Sequence, residues 1–432
     1  MARILITCFG SYGDLYPYIA LGKALQSRNH EIVLGTTILY QQKVEAEGLS
    51  FCHIRCGFDQ YITPEITRQF LQRVFNPIKG SRFLVREQIR YIEESYQDTY
   101  TAARDVDLVI SNPLAYATPL VCKTLNKRWL STALSPMVFM SANDPPILSS
   151  AAWLKQLHGY SKTLYRGLLW ILKIVTKSWT KPLYEFCITH KLAVPDDNPL
   201  FDGQFSPYGT LAMFPACIAQ PQRDWPAHTT VTGFPLFSAE EADSETLARL
   251  EKFLQSGEPP LVFALGSLAV NIATGFFETS SVIARQLGQR AILVVGAQDD
   301  NLKQIEPGDD LLIIHYVAYD KLFPHARVII HQGGIGTLAE AIAAQRPMLI
   351  VPFGFDQFDN AERAERLGIA KTLSRTAYNL ANAAPLIDML ATEPHYQQRA
   401  AEIGASIRND HAIEHACAVI EAVLPRSGNS QL

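Results

Sequence analysis

Apolar residues in this chain gather into short runs, each followed by a stretch of helical periodicity. Residues 3–9 form an apolar, β-prone run that stops at Gly10-Ser11-Tyr12-Gly13, after which Leu15, Ile19, Leu21 and Leu25 fall at near-helical spacing. A strand, a glycine turn and a helix are predicted in that order. The pattern recurs with strands at 31–36, 107–111 and 128–134 and a helix at 40–47. A second series predicts strands at 260–267, 290–296, 311–317, 327–331 and 347–352, separated by helices. Such alternation implies an α/β protein with parallel, doubly wound sheets. Gly233, Pro235, the acidic stretch 240–245 and Gly257-Glu258-Pro259-Pro260 mark an exposed connection between the two series. The expected organisation is an N-terminal domain, 1–240, and a C-terminal domain, 241–432. Both would be Rossmann-like and face a central cleft at the carboxyl ends of their strands, where such sheets bind ligands.

At 432 residues the chain exceeds what a single core usually serves, which agrees with two domains. A formal net charge of -4 gives no overall attraction to nucleic acid, and none is expected as a partner. The seven cysteines, an odd number without a Cys-x-x-Cys pair, read as reduced core thiols and not as metal ligands. Only Arg3 precedes the N-terminal apolar run, which is too short for a signal-peptide core, so a cytoplasmic protein is expected.

The candidate chemistry lies in the second series. Val328-Ile329-Ile330-His331-Gln332-Gly333-Gly334-Ile335-Gly336-Thr337 reads as a buried strand breaking into glycines and then into a helix over 338–344. Gly333, Gly334 and Gly336 allow close approach, and a helix N-terminus offers unpaired N–H groups and partial positive charge, so a diphosphate is the expected occupant. The P-loop lysine is missing and the spacing is not Gly-x-Gly-x-x-Gly, which argues against ATP and NAD. His331 can donate to a phosphate oxygen. A further strand then ends in Pro352-Phe353-Gly354-Phe355-Asp356-Gln357, placing a carboxylate and an amide side by side, which suits vicinal sugar hydroxyls.

Together these residues resemble the donor-binding signature of the family 1 glycosyltransferases, a His-x-Gly-x-Gly-Thr element followed by Pro-x-x-x-Asp-Gln-x-x-Asn-Ala. Gly10-Ser11-Tyr12-Gly13-Asp14 with Pro17 and Ala20-Leu21-Gly22 is similar to the N-terminal element of the sterol and glycopeptide glycosyltransferase branch. Phe214-Pro215-Ala216, Asp224-Trp225-Pro226 and residues 232–237 are similar to the rhamnosyltransferases of rhamnolipid synthesis. The likeness is weakest over about 58–103 and 149–205. It implies the two-domain GT-B fold and inverting, metal-independent transfer, with no cofactor beyond a UDP- or dTDP-sugar as co-substrate. Asp105-Val106-Asp107, which imitates a metal motif of another glycosyltransferase fold, is expected to be a plain helix-to-strand connection.

The resemblance assigns Ser267, His331, Gly333, Gly334, Gly336 and Thr337 to the donor diphosphate, and Asp356 and Gln357 to the sugar. Tyr316 would stack on the base and Val317 would pair with it through its backbone, although Tyr319 stands where the family has glutamine. The family's ribose-binding glutamate position is Ala339 here; Glu340, one step on, is a ribose ligand or a helix-surface charge. Asp14 is the expected base for the acceptor hydroxyl, or else only the N-cap of a helix whose third residue is Pro17. The acceptor is expected to be a hydrophobic small molecule, with rhamnosyl transfer to a hydroxy-fatty acyl compound as the specific expectation. Residues 151–191, with seven Lys or Arg against one Glu among many aromatics, read as acceptor-side helices or as a face in peripheral contact with a membrane. Two other functions fit the same architecture: a nucleotide-sugar 2-epimerase, and a non-catalytic nucleotide-sugar-binding module.

Overall fold

The computed structural model describes residues 1–61, 63–149, 162–238, 242–273, 275–296, 305–306, 308–408 and 411–425. Among these the strands are β1 (Arg3–Thr7), β2 (Glu31–Thr36), β3 (Ser50–His53), β4 (Leu108–Ser111), β5 (Trp129–Ala133), β6 (Thr210–Ala212), β7 (Thr229–Val231), β8 (Leu261–Ala264), β9 (Ala291–Val294), β10 (Leu311–Ile314), β11 (Val328–His331), β12 (Met348–Ile350) and β13 (Ala370–Thr372). They form two parallel sheets, ordered β3-β2-β1-β4-β5-β6-β7 and β10-β9-β8-β11-β12-β13. Helices cover both faces, so central strands such as Ile4-Leu5-Ile6 and Ile329-Ile330 are wholly buried and read as continuous apolar runs. Each such side chain contributes about 1.5–3 kcal/mol by leaving water.

Several apolar runs continue past the last paired residue of their strand. Cys8, Phe9, Leu134, Leu265, Val295 and Val351 are all buried, each within a hydrophobic cluster. Asp107 precedes β4 and its Oδ2 accepts from the Arg3 amide at 2.8 Å, a structural bond within the helix-to-strand connection. None of the seven cysteines forms a disulfide. No helix among the described residues is long and apolar enough to cross a membrane.

Two contacts fix one sheet against the other. The helix Ala412–Val423 returns to pack on the helix Tyr12–Ser27 of the first domain, tied by Arg28 to Glu421 at 3.1 Å and by Arg128 Nη1 to Val423 O at 3.0 Å. The helix Gln357–Arg366, which follows β12, carries a buried charge cluster into the interface. Arg363 Nε meets Asp359 Oδ2 at 2.8 Å, its Nη1 pairs with Asp144 of the first domain, and the same nitrogen donates to Ile218 O at 3.2 Å. Asp359 in turn accepts from the Ile147 amide at 3.1 Å. Asn360 accepts from Ser135 Oγ at 3.2 Å and gives its Nδ2 to Gly333 O at 2.9 Å and Asp356 Oδ2 at 2.8 Å. One buried amide therefore links the first domain to both candidate donor turns.

Candidate active site

The cleft between the sheets has two lobes. One, of about 350 Å³, is lined by Tyr316, Val317, Ala318 and Glu340 on one side and by Tyr12, Tyr16, Phe234 and Phe237 on the other. The second, of about 380 Å³, contains Asp14, Gln332, Asp356 and Gln357 and opens onto Phe58, Tyr61, Phe70, Val74, Phe75 and Leu84. Gly13, Gly266, Ser267, Gly336 and Thr337 line both lobes and form the waist between them.

The waist is where two helix N-termini meet. In the second domain β11 breaks at Gly333, whose φ of +85° and whose closeness to Ile350 and the Gln357 carbonyl leave no room for a side chain. Gly334 caps the helix Ile335–Ala343, and the first helical bond runs from the Leu338 amide to Gly334 O at 2.8 Å. The amides of residues 335–337 therefore precede the hydrogen-bond ladder and concentrate partial positive charge at the waist. This helix begins three residues earlier than the sequence predicts, which places Gly336 and Thr337 inside its first turn. Across the cleft, Gly336 faces Gly13, close enough that a Cβ at 336 would lie 3.8 Å from the Gly13 carbonyl.

Asp14 lies at this junction. The helix Tyr12–Ser27 is capped by Ser11, and Asp14 is its third residue, completing a capping box. Asp14 Oδ2 accepts from the Ser11 amide at 2.7 Å and from Ser11 Oγ at 2.9 Å. The expectation that Asp14 is itself the N-cap, with Pro17 third in the helix, is thus corrected. The helix starts on the glycine turn because Gly10, at φ +138°, lets the chain fold back beneath the carboxylate. That turn is held by Asn112 Nδ2 to Phe9 O at 2.6 Å and by Tyr40 OH to Gly10 O at 2.8 Å. Desolvation pushes the Asp14 carboxyl up, only partly offset by its two Ser11 bonds. Asp356 is pushed up to about 7, by desolvation first and then by the charge of Asp14. Two carboxylates from opposite domains thus sense one another in a single lobe. A Cβ at Gly10 would overlap the Asp14 carboxylate, so Gly10→Ala should cost about tenfold or more in kcat by displacing it. Unchanged turnover in a folded Gly10→Ala protein would show that the position of this carboxylate is immaterial.

The other sequence-selected residues divide. Ser267, Gly336 and Thr337 line the waist, Tyr316 and Val317 the first lobe, and Gly334, Asp356 and Gln357 the second. His331 and Gly333 line neither lobe. His331 is fully buried; its Nδ1 accepts from the Gly333 amide at 3.1 Å, which leaves the proton on Nε2, a buried atom with no partner among the described residues. Burial holds its pKa down to about 3, so the ring is neutral. Gln357 Oε1 accepts from the amides of Phe353 at 2.8 Å and Gly354 at 3.1 Å, leaving only its amide nitrogen to offer a ligand. Glu340 is half-buried in the first lobe, its carboxyl pushed up to about 8 by burial and Asp320, and is not a surface charge. Tyr319 stacks on Phe323 and donates to Leu265 O at 3.2 Å.

Two features escape the sequence. Gln332 lies in the second lobe, buried against Gly266, with Nε2 3.4 Å from Thr337 Oγ1 and no partner for Oε1 among the described residues. Its place directly after His331 was the available signal. The apolar wall of that lobe comes from the loop and helices around 58–84; none of 162–191 lines either lobe, and residues 150–161 lie outside the described set.

Comparison with known proteins agrees with this geometry. Residues 4–122 match the model of the glycosyltransferase family 28 N-terminal domain, and residues 231–430 match that of the UDP-glucoronosyl and UDP-glucosyl transferases. The chain is 28% identical over 423 residues to the O-mycaminosyltylonolide 6-deoxyallosyltransferase of Streptomyces fradiae, covering 97% of each. It is 24% identical to the sterol 3-beta-glucosyltransferase of Komagataella phaffii, over 96% of this chain and 34% of that one. The protein is a glycosyltransferase of the GT-B fold. The solved structure of the spinosyn rhamnosyltransferase SpnG complexed with thymidine diphosphate shares this glycosyltransferase's fold, with a TM-score of 0.64 at 16% identity over 98% of this chain and 100% of that one.

Proposed function

We propose that the enzyme is an inverting O-glycosyltransferase that moves a hexose or 6-deoxyhexose from a UDP- or dTDP-sugar to a hydroxyl of a hydrophobic acceptor, without metal or organic cofactor. The observation that carries this reading is that Asp14 stands where an apolar, aromatic lobe meets the N-terminus of the helix Ile335–Ala343. The acceptor would occupy the apolar lobe and give its hydroxyl proton to Asp14 as its oxygen attacks the anomeric carbon. The bond from that carbon to the diphosphate breaks, and its electron pair leaves with the phosphate. Amides of residues 335–337 and the hydroxyls of Ser267 and Thr337 would meet that charge. Nε2–H of His331 is assigned to an oxygen of the same group, with Gly333 acting through its conformation alone. Tyr316 would stack on the base, Val317 pair through its backbone and Glu340 hold the ribose. Asp356 and the amide nitrogen of Gln357 would bind sugar hydroxyls.

The names of the relatives support the acceptor and donor classes: a macrolide-type and a sterol acceptor for the two relatives by sequence, and thymidine diphosphate with rhamnosyl transfer for the structural one. Peripheral contact at the cytoplasmic side of a membrane belongs to the proposal. A 2-epimerase needs no second substrate and would leave the apolar lobe without a use. The test is incubation with a panel of UDP- and dTDP-sugars and lipid, sterol and phenolic alcohols, with products read by mass. Release of nucleoside diphosphate only when an alcohol is present supports transfer; release or sugar isomerisation without one overturns it.

The carboxylate pair sets the expected pH dependence. Because Asp14 must be ionised to act as a base and its pKa is raised, kcat/KM should climb with pH through a limb above the ordinary carboxylate range. Asp14→Asn removes a negative charge beside Asp356 and should lower the pKa of the Asp356 carboxyl, followed by NMR titration. An Asp356 titration that stays in place would separate the two carboxylates.

A further inference from the structure

The helix Lys162–Lys177 turns its apolar side outward. At about 100° per residue, Trp170, Ile174, Gly167, Ile171, Leu164 and Val175 share an arc of about 140°. Its side chains stay in solvent: Trp170 is 64% exposed, Val175 56%, Ile174 54%, Ile171 52% and Leu164 46%. The helix is held by its other side, where Tyr165 and Thr176 are buried and Asn198 Nδ2 bonds Lys173 O at 2.9 Å and Thr176 Oγ1 at 3.1 Å. A helix on a globular domain ordinarily buries its apolar stripe, and an exposed contiguous apolar face marks an interaction site.

The charge along this helix says what kind of partner fits. Lys162, Arg166, Lys173 and Lys177 fall on the arc beside Trp170, and the helix contains no carboxylate, in a chain whose net charge is -4. Lys173 is paired with Asp202 at 2.5 Å, so Lys162, Arg166 and Lys177 carry most of the positive field. An apolar face bordered by cations, with a tryptophan at the boundary, matches the layering of a bilayer interface: acyl chains, then headgroup region, then anionic charge. Sixteen residues span about 24 Å and are too short and too charged to cross, so the helix would lie in the plane of the surface. We propose that the outward face of the helix Lys162–Lys177 docks the enzyme onto a lipid surface bearing anionic headgroups. The inference deepens the reading of a hydrophobic acceptor by naming the surface on which it is met, and docking is read out without any transfer.

The test is sedimentation of the full chain with vesicles of phosphatidylcholine alone and of phosphatidylcholine mixed with phosphatidylglycerol. The chain should pellet with the mixed vesicles and be released by salt, since the cations act over a Debye length. Ile171→Glu with Ile174→Glu should lower the bound fraction about tenfold or more by placing charge in the acyl layer. Lys162→Gln with Arg166→Gln should lower it by a similar factor on mixed vesicles and leave binding to neutral ones unchanged. All four positions lie outside the cleft, so transfer to a water-soluble acceptor should continue in both variants, which separates failure of docking from failure of the proposed reaction. A chain that stays in the supernatant with both vesicle types overturns the proposal. So does a dimer by light scattering that Ile171→Glu and Ile174→Glu dissociate, because the face would then belong to a second copy.

Discussion

Asp14→Asn should leave a folded enzyme whose turnover is about 10²- to 10⁴-fold lower, the usual worth of a positioned general base. Asparagine keeps an oxygen where the Ser11 amide and hydroxyl donate, so the capping box can persist, but it has no carboxylate to take a proton. Stability should hold steady or rise. The sign follows from the raised pKa: a carboxyl whose pKa is higher folded than unfolded makes its ionised form a burden on the fold, a cost present above the unfolded pKa and relieved as pH falls through the folded one. Removing the charge removes that cost, offset by about 0.3–1 kcal/mol of lost interaction with the helix N-terminus. Thermal melting and kcat with saturating donor are the two measurements. A variant with unaltered melting and near-normal turnover would reduce Asp14 to a capping-box residue and leave the base unidentified. A retained carboxylate that weighs against folding, at the meeting point of two lobes, is what a site kept for chemistry looks like.

The second large effect belongs to Arg363. Arg363→Met keeps much of the volume and strands Asp359, which is fully buried, opposite an interfacial Asp144 that has lost its main partner. Breaking a buried pair by removing one member costs about 3–5 kcal/mol, because an uncompensated charge stays inside. Denaturant unfolding should register a loss of that size near neutral pH. Burial already raises the Asp359 pKa despite Arg363, and loss of the cation raises it further. The cost therefore applies above the unfolded carboxylate pKa and should shrink as pH falls through the raised folded value. The double variant Arg363→Met with Asp359→Leu, which removes both charges, should regain most of the stability. A single variant as stable as the parent would mean that water or a rearranged side chain satisfies Asp359. Because the same helix carries Asn360 and is preceded directly by Asp356, loosened docking should also lower turnover, although Arg363 touches neither lobe.

The sequence by itself determined the α/β architecture, the two parallel sheets and the glycine turn that follows His331. These rest on local rules: continuous apolar strands buried on both faces, glycines that permit a tight break, and a helix N-terminus that gathers unpaired amides. The short strands Ser50–His53, Thr210–Ala212, Thr229–Val231 and Ala370–Thr372 went unseen, since three or four residues carry too little periodicity to register. Tertiary structure alone decided the rest. That Asp14 and Asp356 occupy one lobe depends on how two domains meet, which no local pattern encodes. The apolar wall from Phe58 to Leu84 looks in sequence like ordinary core, because an amphipathic helix presents the same stripe to a cavity as to a packed interior. The pattern at 162–177 is amphipathic in the same way, and only the fold reveals that its apolar side faces water. Periodicity tells which residues share a face; the packing of distant elements decides what that face meets.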